Sequence, residues 1–194
     1  MGSWFFASRG FLLAPYGIFL IFLGRPGLFS FILGFLIACT GEALRIWGVG
    51  YAGTTTRKSE LEAPELITGG PYAHMRHPLY MGNLLMGLGG FVMASGQNSA
   101  PINLFLFFVF LVSYAMVYGI IIPHEEEFLA KRFGAEYQAY AQSVPSVIPS
   151  LFAYPVQSGN FDWENIRLGE IHTLWPFAAV VVFMGYRLWT LRGD

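Results

Sequence analysis

Long apolar stretches separated by short polar segments dominate this chain. A bilayer core of about 30 Å is spanned by about 20 mostly apolar residues. Five windows approach this length, from about Phe11 to Leu23, Leu28 to Tyr51, Leu79 to Ser95, Pro101 to Ile122 and Ile171 to Leu191. The pattern predicts an all-α integral membrane protein with about five transmembrane helices. The first and third windows are short, so we expect local bilayer thinning or partial burial in protein there.

The connections between these windows are short. Arg25-Pro26-Gly27 is typical of a tight turn, and no small-residue cleavage site follows Leu23. A helical hairpin is therefore preferred at the N-terminus over a cleaved signal peptide. Only GQNSA and Pro101 join the third and fourth windows, which predicts an antiparallel hairpin. The ends of that hairpin at His77-Pro78 and Pro123-His124 should meet on one side of the membrane.

A polar segment, GGPYAHMRHPLYMGN at residues 69–83, precedes and enters the third window. Gly69-Gly70-Pro71 predicts a turn, and Pro78 suits the first position of a helix while disfavouring the α conformation at the residue before it. The third helix should therefore begin at His77-Pro78. Free backbone N–H groups at such a helix start attract an anion, and a neighbouring Arg76 adds to that attraction.

A second polar segment, IPHEEEFLAKRFGAEYQAYAQSV, follows the fourth window. Its apolar residues recur at three- and four-residue steps, which predicts an amphipathic helix over residues 123–150. The stripe consists of Leu129, Phe133, Tyr137, Tyr140 and Val144. Extended back by four residues, it reaches Glu125, which should point the same way. Glu127 should instead pair with Lys131 in solvent.

Simpler explanations exist for both polar segments. The glutamates can merely complement the helix dipole, and Arg76 with its neighbours can merely anchor the chain at the membrane surface. Inside the second window, Glu42 and Arg45 form either a buried pair or part of a polar cavity. His172 is expected at the interface. The histidines lack the spacing of a metal site, so no metal is expected.

Composition and charge agree with a membrane protein. Hydrophobic residues make up 55% of the chain and charged residues only 12%. The Lys and Arg count favours a cytoplasmic location for both long polar segments, because basic residues concentrate on that side. Their side holds Arg9, Arg57, Lys58, Arg76, Lys131, Arg132 and Arg167, against Arg25, Arg187 and Arg192 on the other.

The two polar segments resemble one family. RHPxYxG and EExxLxxxFGxEYxxYxxxVP, in this order, are similar to motifs of isoprenylcysteine carboxyl methyltransferases and related phospholipid methyltransferases. The resemblance covers roughly residues 57–149. It implies a membrane enzyme that takes S-adenosylmethionine from the cytosol and methylates a lipophilic acceptor. The typical acceptor is the carboxylate of a prenylated cysteine, and no nucleic acid is involved.

The resemblance also implies site residues. The family's cofactor contacts fall on Glu65, Leu66, Ile67, Tyr72, His77, Pro78, Leu79, Tyr80 and Glu125. We expect Glu125 to accept a hydrogen bond from the ammonium group of the cofactor, and the helix start at Pro78 to hold its carboxylate. Arg76 is the candidate for orienting an anionic acceptor. One departure is Ile121, which stands where eukaryotic members have an arginine assigned to the substrate.

A single domain over residues 1–194 is predicted, with a hairpin at 1–56, a cofactor-binding core at 57–150 and a C-terminal loop and last helix at 151–194. The loop at 52–78 and the helix at 123–150 should form a cytoplasmic pocket. Two other functions fit the pattern. One is an NADPH-dependent reductase of sterol-like lipids, with Arg57 and Lys58 as candidates for the 2′-phosphate. The other is a non-enzymatic scaffold or channel.

Overall fold

The structure, a computed structural model, describes residues 2–53, 63–169 and 171–191; the side chains of 2–12, 168, 169, 171 and 172 are not described. Regular structure in the described residues is helical, which confirms the predicted all-α class. The helices are α1 (Gly2–Leu23), α2 (Leu28–Ala52), α3 (Pro78–Ala94), α4 (Ala100–Phe133), α5 (Ala135–Ser143), α6 (Trp163–Gly169) and α7 (Ile171–Thr190). Arg57, Lys58 and Arg192, with the side chains of Arg9 and His172, lie outside the described residues.

Within the described residues, two helices are long and apolar enough to cross a membrane, namely α2 and α4. The described apolar stretches Leu13–Leu23 of α1 and Pro78–Ala94 of α3 are shorter. Five spans therefore stay a prediction. The helix boundaries agree closely with the sequence: α2 begins at Leu28, and α3 begins at Pro78 with His77 as its N-cap. Local signals placed these ends, because proline fixes the backbone at the first helical position.

The predicted separate helix over 123–150 is wrong in its boundaries. Helix α4 continues through Pro123 to Phe133, and the break comes at Gly134, whose φ is 55°. Helix α5 then ends at Ser143. Proline removes one backbone hydrogen bond to the residue four positions earlier. That residue is Gly119, and α4 continues with this one bond missing.

Glycines at seven-residue intervals bring α2 and α3 into backbone contact. An added Cβ on Gly89 would lie 2.5 Å from the Gly34 carbonyl oxygen, and one on Gly41 would lie 2.6 Å from that of Gly82. Small residues allow helices in a membrane to approach this closely, where dispersion contacts between backbones stabilise the pair. The two helices therefore form an antiparallel unit closed along its length.

Helix α1 packs mainly against α4, in a core that also includes α3 and α7. This core contains Tyr16, Leu20, Ala94, Leu106, Phe110 and Met184. The Tyr16 hydroxyl donates to the Gly87 carbonyl at 2.7 Å, and Arg187 Nη1 donates to the carbonyl of Ile21 at 2.7 Å. These bonds tie α1 to α3 and α7 through side chains rather than through close backbone contact.

The segment after α5 returns to the ends of α2 and α3. The backbone N–H of His77 donates to the Ser146 carbonyl at 2.9 Å, and that of Asp162 donates to the Gly50 carbonyl at 2.9 Å. Loop residues far apart in sequence are thus fixed beside the start of α3. They complete the walls of the cavity described next.

Candidate functional site

A cavity of about 880 Å³ lies between the helices and the loops that join them. All the predicted site residues contribute to its wall: Glu65, Leu66, Ile67, Tyr72, Arg76, His77, Pro78, Leu79, Tyr80 and Glu125. Cavities that hold small ligands typically measure ~300–1,000 Å³. The cavity is therefore large enough for a nucleoside cofactor. The roles of these residues stay predictions.

The cavity has a charged part and an apolar part. Glu65, Glu125 and Asp162 line the charged part, next to the aromatic Tyr72 and Tyr80. The apolar part is lined by Leu13, Gly17, Leu20, Met86, Gly87, Gly90, Phe177 and Val180. That α1, α7 and the loop at 160–165 contribute to the cavity wall was not predicted from the sequence. They carry no local motif, and their place in the wall depends on packing between distant segments.

Glu126, the second glutamate of the EExxL motif, organises the charged part, although no role was predicted for it. Its Oε1 accepts hydrogen bonds from Arg76 Nε at 3.0 Å, Arg76 Nη2 at 2.7 Å and Ser146 Oγ at 3.1 Å. His77 Nε2 lies 3.0 Å from the same oxygen. One carboxylate oxygen therefore joins α4, the start of α3 and the loop after α5.

Arg76 is largely occupied by contacts within the protein. Besides its two bonds to Glu126, Nη1 donates to the carbonyls of Ala141 at 2.9 Å and Val144 at 2.6 Å. Those carbonyls lie at the end of α5, where helices leave acceptors unsatisfied. The geometry thus gives Arg76 mainly a positioning role at the junction of α4 and α5.

The protonation of this cluster follows from its contacts, which lie beyond Pro123 and before α3. The hydrogen bond from His77, with the nearby Arg76 guanidinium, lowers the pKa of Glu126 to about 2. Burial disfavours the charged form of His77, but hydrogen bonds and charges from Glu125 and Glu126 outweigh it and raise the His77 pKa. A charged histidine between two carboxylates is therefore favoured at the cavity wall.

Glu125, Glu126 and Glu127 have three different environments. Of these three described glutamates, only Glu125 lines the cavity. The Tyr80 hydroxyl donates to Glu125 Oε2 at 2.7 Å, and the His77 ring stacks on the Tyr80 ring with centroids 5.4 Å apart. Lys131 donates to Glu127 at 2.5 Å in solvent, as predicted from their spacing. The predicted inward direction of Glu125 is also confirmed.

The predicted cofactor strip at 65–72 is fixed by its backbone. Ser158 Oγ donates to the Leu66 carbonyl, and the Gly69 N–H donates to the Ser158 carbonyl at 2.9 Å. The Tyr140 hydroxyl donates to the Tyr72 carbonyl at 2.8 Å. The predicted apolar stripe of α4 and α5 packs on Leu66. The strip is therefore held between α5 and the loop around residue 158, and faces the cavity.

The polar and aromatic groups of the cavity wall suit S-adenosylmethionine. This cofactor carries a sulfonium, an ammonium, a carboxylate and an adenosine. Glu65 and Glu125 supply negative charge for its cationic groups, and Tyr72 and Tyr80 supply aromatic faces. At the start of α3, the N–H groups of His77, Tyr80 and Met81 donate to backbone carbonyls and Pro78 has none, so the Leu79 N–H is the candidate donor for its carboxylate. Apolar Leu66 and Ile67 suit an adenine ring. The residues present therefore fit this cofactor.

Comparison with known families agrees with the geometry. The profile of the phospholipid methyltransferase family matches residues 27–136, more than half of the chain. The chain belongs to this family. The match confirms the resemblance drawn from the motifs and begins earlier than residue 57, so that it includes α2. The α2–α3 unit, with its paired glycines, thus lies within the family domain.

Curated relatives have several functions. Protein-S-isoprenylcysteine O-methyltransferase B of Arabidopsis thaliana is 35% identical over 120 residues, 60% of this chain and 57% of that protein. The cobalt-zinc-cadmium resistance protein CzcN of Cupriavidus metallidurans is 33% identical over 66% of this chain and 51% of that protein. Methanethiol S-methyltransferase 2 of Bradyrhizobium diazoefficiens is 31% identical over 62% of this chain and 44% of that protein.

These matches span about half the length of the curated relatives. No solved structure matches the chain. The family is therefore shown by sequence, whereas the acceptor differs among the relatives by name and has to be argued from the cavity.

Proposed function

We propose that this protein is an S-adenosylmethionine-dependent methyltransferase of lipophilic acceptors, and that it methylates the carboxylate of an isoprenylcysteine-like molecule. The observation that carries the proposal is the continuity of one cavity. It connects the charged wall around Glu125 and Tyr80 with the apolar space between α1, α3 and α7. A polar cofactor and a lipophilic acceptor can meet only where a charged surface adjoins an apolar one.

The cofactor occupies the charged part in this proposal. Glu125 accepts from its ammonium, and the Leu79 N–H, next to His77-Pro78 at the start of α3, donates to its carboxylate. The strip Glu65, Leu66 and Ile67 supplies backbone groups for the adenosine. Tyr80 positions Glu125 through their 2.7 Å hydrogen bond. When bound, the cofactor supplies an electrophilic methyl group on sulfur.

The protein then needs to align the acceptor rather than activate it. A carboxylic acid with a pKa of about 3.5 is already ionised at neutral pH, so no general base is required. Correct placement of nucleophile and methyl group can account for about 7–11 kcal/mol of the barrier. We propose that Arg76 assists, either by orienting the acceptor or by holding the junction of α4 and α5 closed.

A thiol acceptor is the second candidate, because one relative is a methanethiol S-methyltransferase. Ile121, at the position where eukaryotic relatives have the arginine assigned to the substrate carboxylate, is buried against Tyr80 and Tyr118. A thiol needs no such cation. It does need deprotonation, since the pKa of a free thiol is about 8.5.

We propose that the protein is embedded in the membrane with the charged part of the cavity facing the cytoplasm. Support comes from the apolar α2 and α4 and from the excess of Lys and Arg on the side of the two polar segments. This orientation gives the site access to cytosolic cofactor, and the apolar part access to acceptors dissolved in lipid.

The first test is calorimetric titration of the detergent-solubilised protein with S-adenosylhomocysteine and, separately, with NADPH. We expect saturable binding of S-adenosylhomocysteine alone. Glu125→Ala and Tyr80→Ala should weaken it at least about tenfold, because each removes part of a charge-assisted contact. Glu127→Ala is the matched control and should leave affinity unchanged. Binding of NADPH alone would indicate the reductase, and binding of neither by folded protein would indicate the scaffold.

The second test identifies the bond that is formed. Methyl-labelled S-adenosylmethionine is incubated with the protein and either N-acetyl-S-farnesylcysteine or a long-chain thiol. A methyl ester releases its label as methanol in alkali, whereas a methyl thioether keeps it. Alkali-labile label from the farnesylcysteine supports the carboxyl O-methyltransferase. Alkali-stable label from the thiol alone would replace it with the second candidate.

A further inference from the structure

The loop between α5 and α6, residues 144–161, carries apolar side chains that protrude from the protein. Ile148, Leu151, Phe152 and Val156 are between 67% and 93% exposed. We call these four side chains the loop tips. The loop contains no charged residue. Apolar surface left exposed in this way generally marks a contact with another protein or with a membrane.

The preceding segment exposes side chains of the opposite character. Glu127 and Lys131, in the part of α4 beyond Pro123, are exposed and pair with each other in solvent. Arg132 and Glu136 are exposed as well. Two segments that follow one another in the chain therefore expose charged groups in one case and apolar groups in the other. Water suits the first segment, and a medium of low polarity suits the second.

Backbone hydrogen bonds hold the loop at the ends of two apolar helices. The Ser150 N–H donates to the His74 carbonyl at 2.8 Å, just before α3 begins. The Asp162 N–H donates to the Gly50 carbonyl at 2.9 Å, close to the end of α2. Because α2 is long and apolar enough to cross a membrane, its end marks the boundary of the apolar layer. The loop therefore lies at the level of that boundary.

Aromatic residues at the end of the loop indicate the same level. The ring of Trp163, an exposed residue, lies 5.0 Å from the Phe161 ring. The Phe161 ring in turn lies 5.8 Å from the Tyr51 ring near the end of α2. Trp175, in the first turns of α7, is exposed too. Tryptophan is enriched where the apolar layer of a bilayer meets water, so this arrangement is typical of a membrane interface.

The backbone of the loop is suited to a setting with little water. Pro149 and Pro155 have no N–H group. The Phe152 N–H donates to Ser150 Oγ at 3.1 Å, and the Tyr154 N–H donates to a backbone carbonyl before α3 at 2.8 Å. A backbone N–H without a partner is costly where water is scarce. Proline and internal hydrogen bonds thus reduce that cost along the part of the loop that carries the tips.

We propose that the loop tips insert into the membrane interface beside α2, between the lipid headgroups and the acyl chains, so that this loop is a lipid-binding surface. The inference rests on the membrane embedding stated in the proposed function, and not on the identity of the cofactor or acceptor. Because the loop has no charge, it binds lipid through apolar contact and does not require anionic headgroups.

The lipid contact also fixes one wall of the cavity. Ser158, in the same loop, donates through its N–H to Thr68 Oγ1 at 3.0 Å and through its hydroxyl to the Leu66 carbonyl. The strip proposed to hold the cofactor is therefore bound to a loop that is itself held at the membrane surface. A lipophilic acceptor dissolved in the bilayer reaches the cavity at this level.

The test uses the full chain reconstituted into phosphatidylcholine vesicles. Cys39→Ala removes the one native cysteine, and Phe152→Cys then places a single bimane label on a loop tip. A phosphatidylcholine that carries a nitroxide near its headgroup should quench most of the bimane fluorescence. Iodide in the water should quench little of it. Added phosphatidylglycerol should change neither result.

Three further labels serve as controls. Leu151→Cys gives a second position among the loop tips, so that the result does not depend on one variant. Glu136→Cys, on α5, is the matched exposed site and should show the opposite pattern, with quenching by iodide alone. Phe108→Cys, on the exposed apolar side of α4, should be quenched by a nitroxide near the end of the acyl chain. That label reports whether the protein is embedded at all.

Two results would overturn the inference alone. Quenching of both loop labels by iodide, without an effect of the nitroxide lipid, would place the loop in water. Protection from both quenchers would place it against protein, and a doubled mass in detergent would identify a second copy of the chain. If the Phe108→Cys label is not quenched by lipid, the proposed membrane embedding fails, and the inference fails with it.

Discussion

Helix α3 presents glycines to two neighbouring regions, and the two contacts differ. Gly82 and Gly89 face α2, where glycines stand opposite them and the backbones touch. Gly87 and Gly90 line the cavity. On that side bulky side chains approach α3: an added Cβ on Gly87 would lie 2.7 Å from Phe110 of α4, and one on Gly90 would lie 3.2 Å from Leu20 of α1. Glycines therefore bring two helix backbones together only where the partner is also small.

The closed contact depends on shape, whereas the rim of the cavity depends on charge. The α2–α3 contact is made by glycines and by Ala38. The charged rim is held by Arg76, His77 and Glu126, which join segments far apart in sequence. A substitution that changes shape should thus affect the α2–α3 contact. A substitution or pH change that alters charge should affect the rim of the cavity.

The largest effect is expected from Gly89→Ala. Its methyl group would lie 2.5 Å from the Gly34 carbonyl oxygen and 2.6 Å from the Ala38 nitrogen, so the helices would have to separate. Overpacking of this kind costs about 3 kcal/mol or more when backbone cannot move. We expect little folded protein by size-exclusion chromatography in detergent.

Gly119→Ala is the matched control for that substitution. No described atom lies within 4 Å of its Cβ position, so alanine should raise the melting temperature slightly through its better helix propensity. Equal losses from Gly89→Ala and Gly119→Ala would show that the α2–α3 contact is not the constraint.

A smaller loss of stability is expected from Glu126→Gln. The change weakens the contacts with Arg76, His77 and Ser146, and a half-buried charge-assisted network of this kind is worth about 1–3 kcal/mol. Thermal unfolding should show a lower midpoint, and S-adenosylhomocysteine binding should weaken because His77 and Glu125 lose their support. Glu127→Gln, which alters only a solvent-exposed pair, should change neither quantity.

Gly17→Leu should change function with little change in stability. Gly17 lines the apolar part of the cavity, and no described atom lies within 4 Å of its Cβ position. A leucine there should occupy space proposed for the acceptor chain. We expect normal S-adenosylhomocysteine binding but a preference for acceptors with shorter chains. Unchanged methylation of a farnesyl and a geranyl acceptor would place the chain elsewhere.

The smallest effect is a pH dependence confined to the charged rim. The raised pKa of His77 means that its stabilising contribution is complete below pH 6.5 and is lost as pH rises through the folded-state value. Glu126 behaves oppositely: its contribution is present above pH 4.5 and is lost as pH falls towards 2. The native protein should therefore unfold at lower temperature as pH rises above 6.5.

Two variants check which group causes this slope of unfolding temperature against pH. His77→Asn should flatten it, because the titrating group is gone. Gly82→Ala should lower the melting temperature by a constant amount at every pH, because its contacts are with the Gly41 carbonyl and the Arg45 stem. A slope that persists in His77→Asn would assign the titration to another group.

Much of the fold could be predicted because its causes are local. Proline and glycine placed the start of α3 at Pro78 and the turn before α2, and apolar length predicted α2 and α4. The spacing of Glu127 and Lys131 predicted their pair. The order of two motifs indicated the family that the profile then matched. Each of these rests on neighbours within a few residues.

Other features could be decided only by contacts between distant segments. Pro123 was expected to begin a new helix, but α4 continues through it to Phe133. Glu126 joins Arg76 and His77 across 50 and 49 residues. The EExxL motif includes Glu126 but does not show what it binds, since its partners lie just before α3.

The sequence by itself therefore determined the helices, most of their ends, the direction of Glu125 and the membership of a family. Tertiary structure decided which glycines of α3 contact α2 and which line the cavity, and that α1 and α7 complete the cavity wall. The physical reason is the distance along the chain over which the deciding contacts act. Helix formation and capping depend on residues within about four positions, whereas a cavity is defined by which surfaces fail to meet.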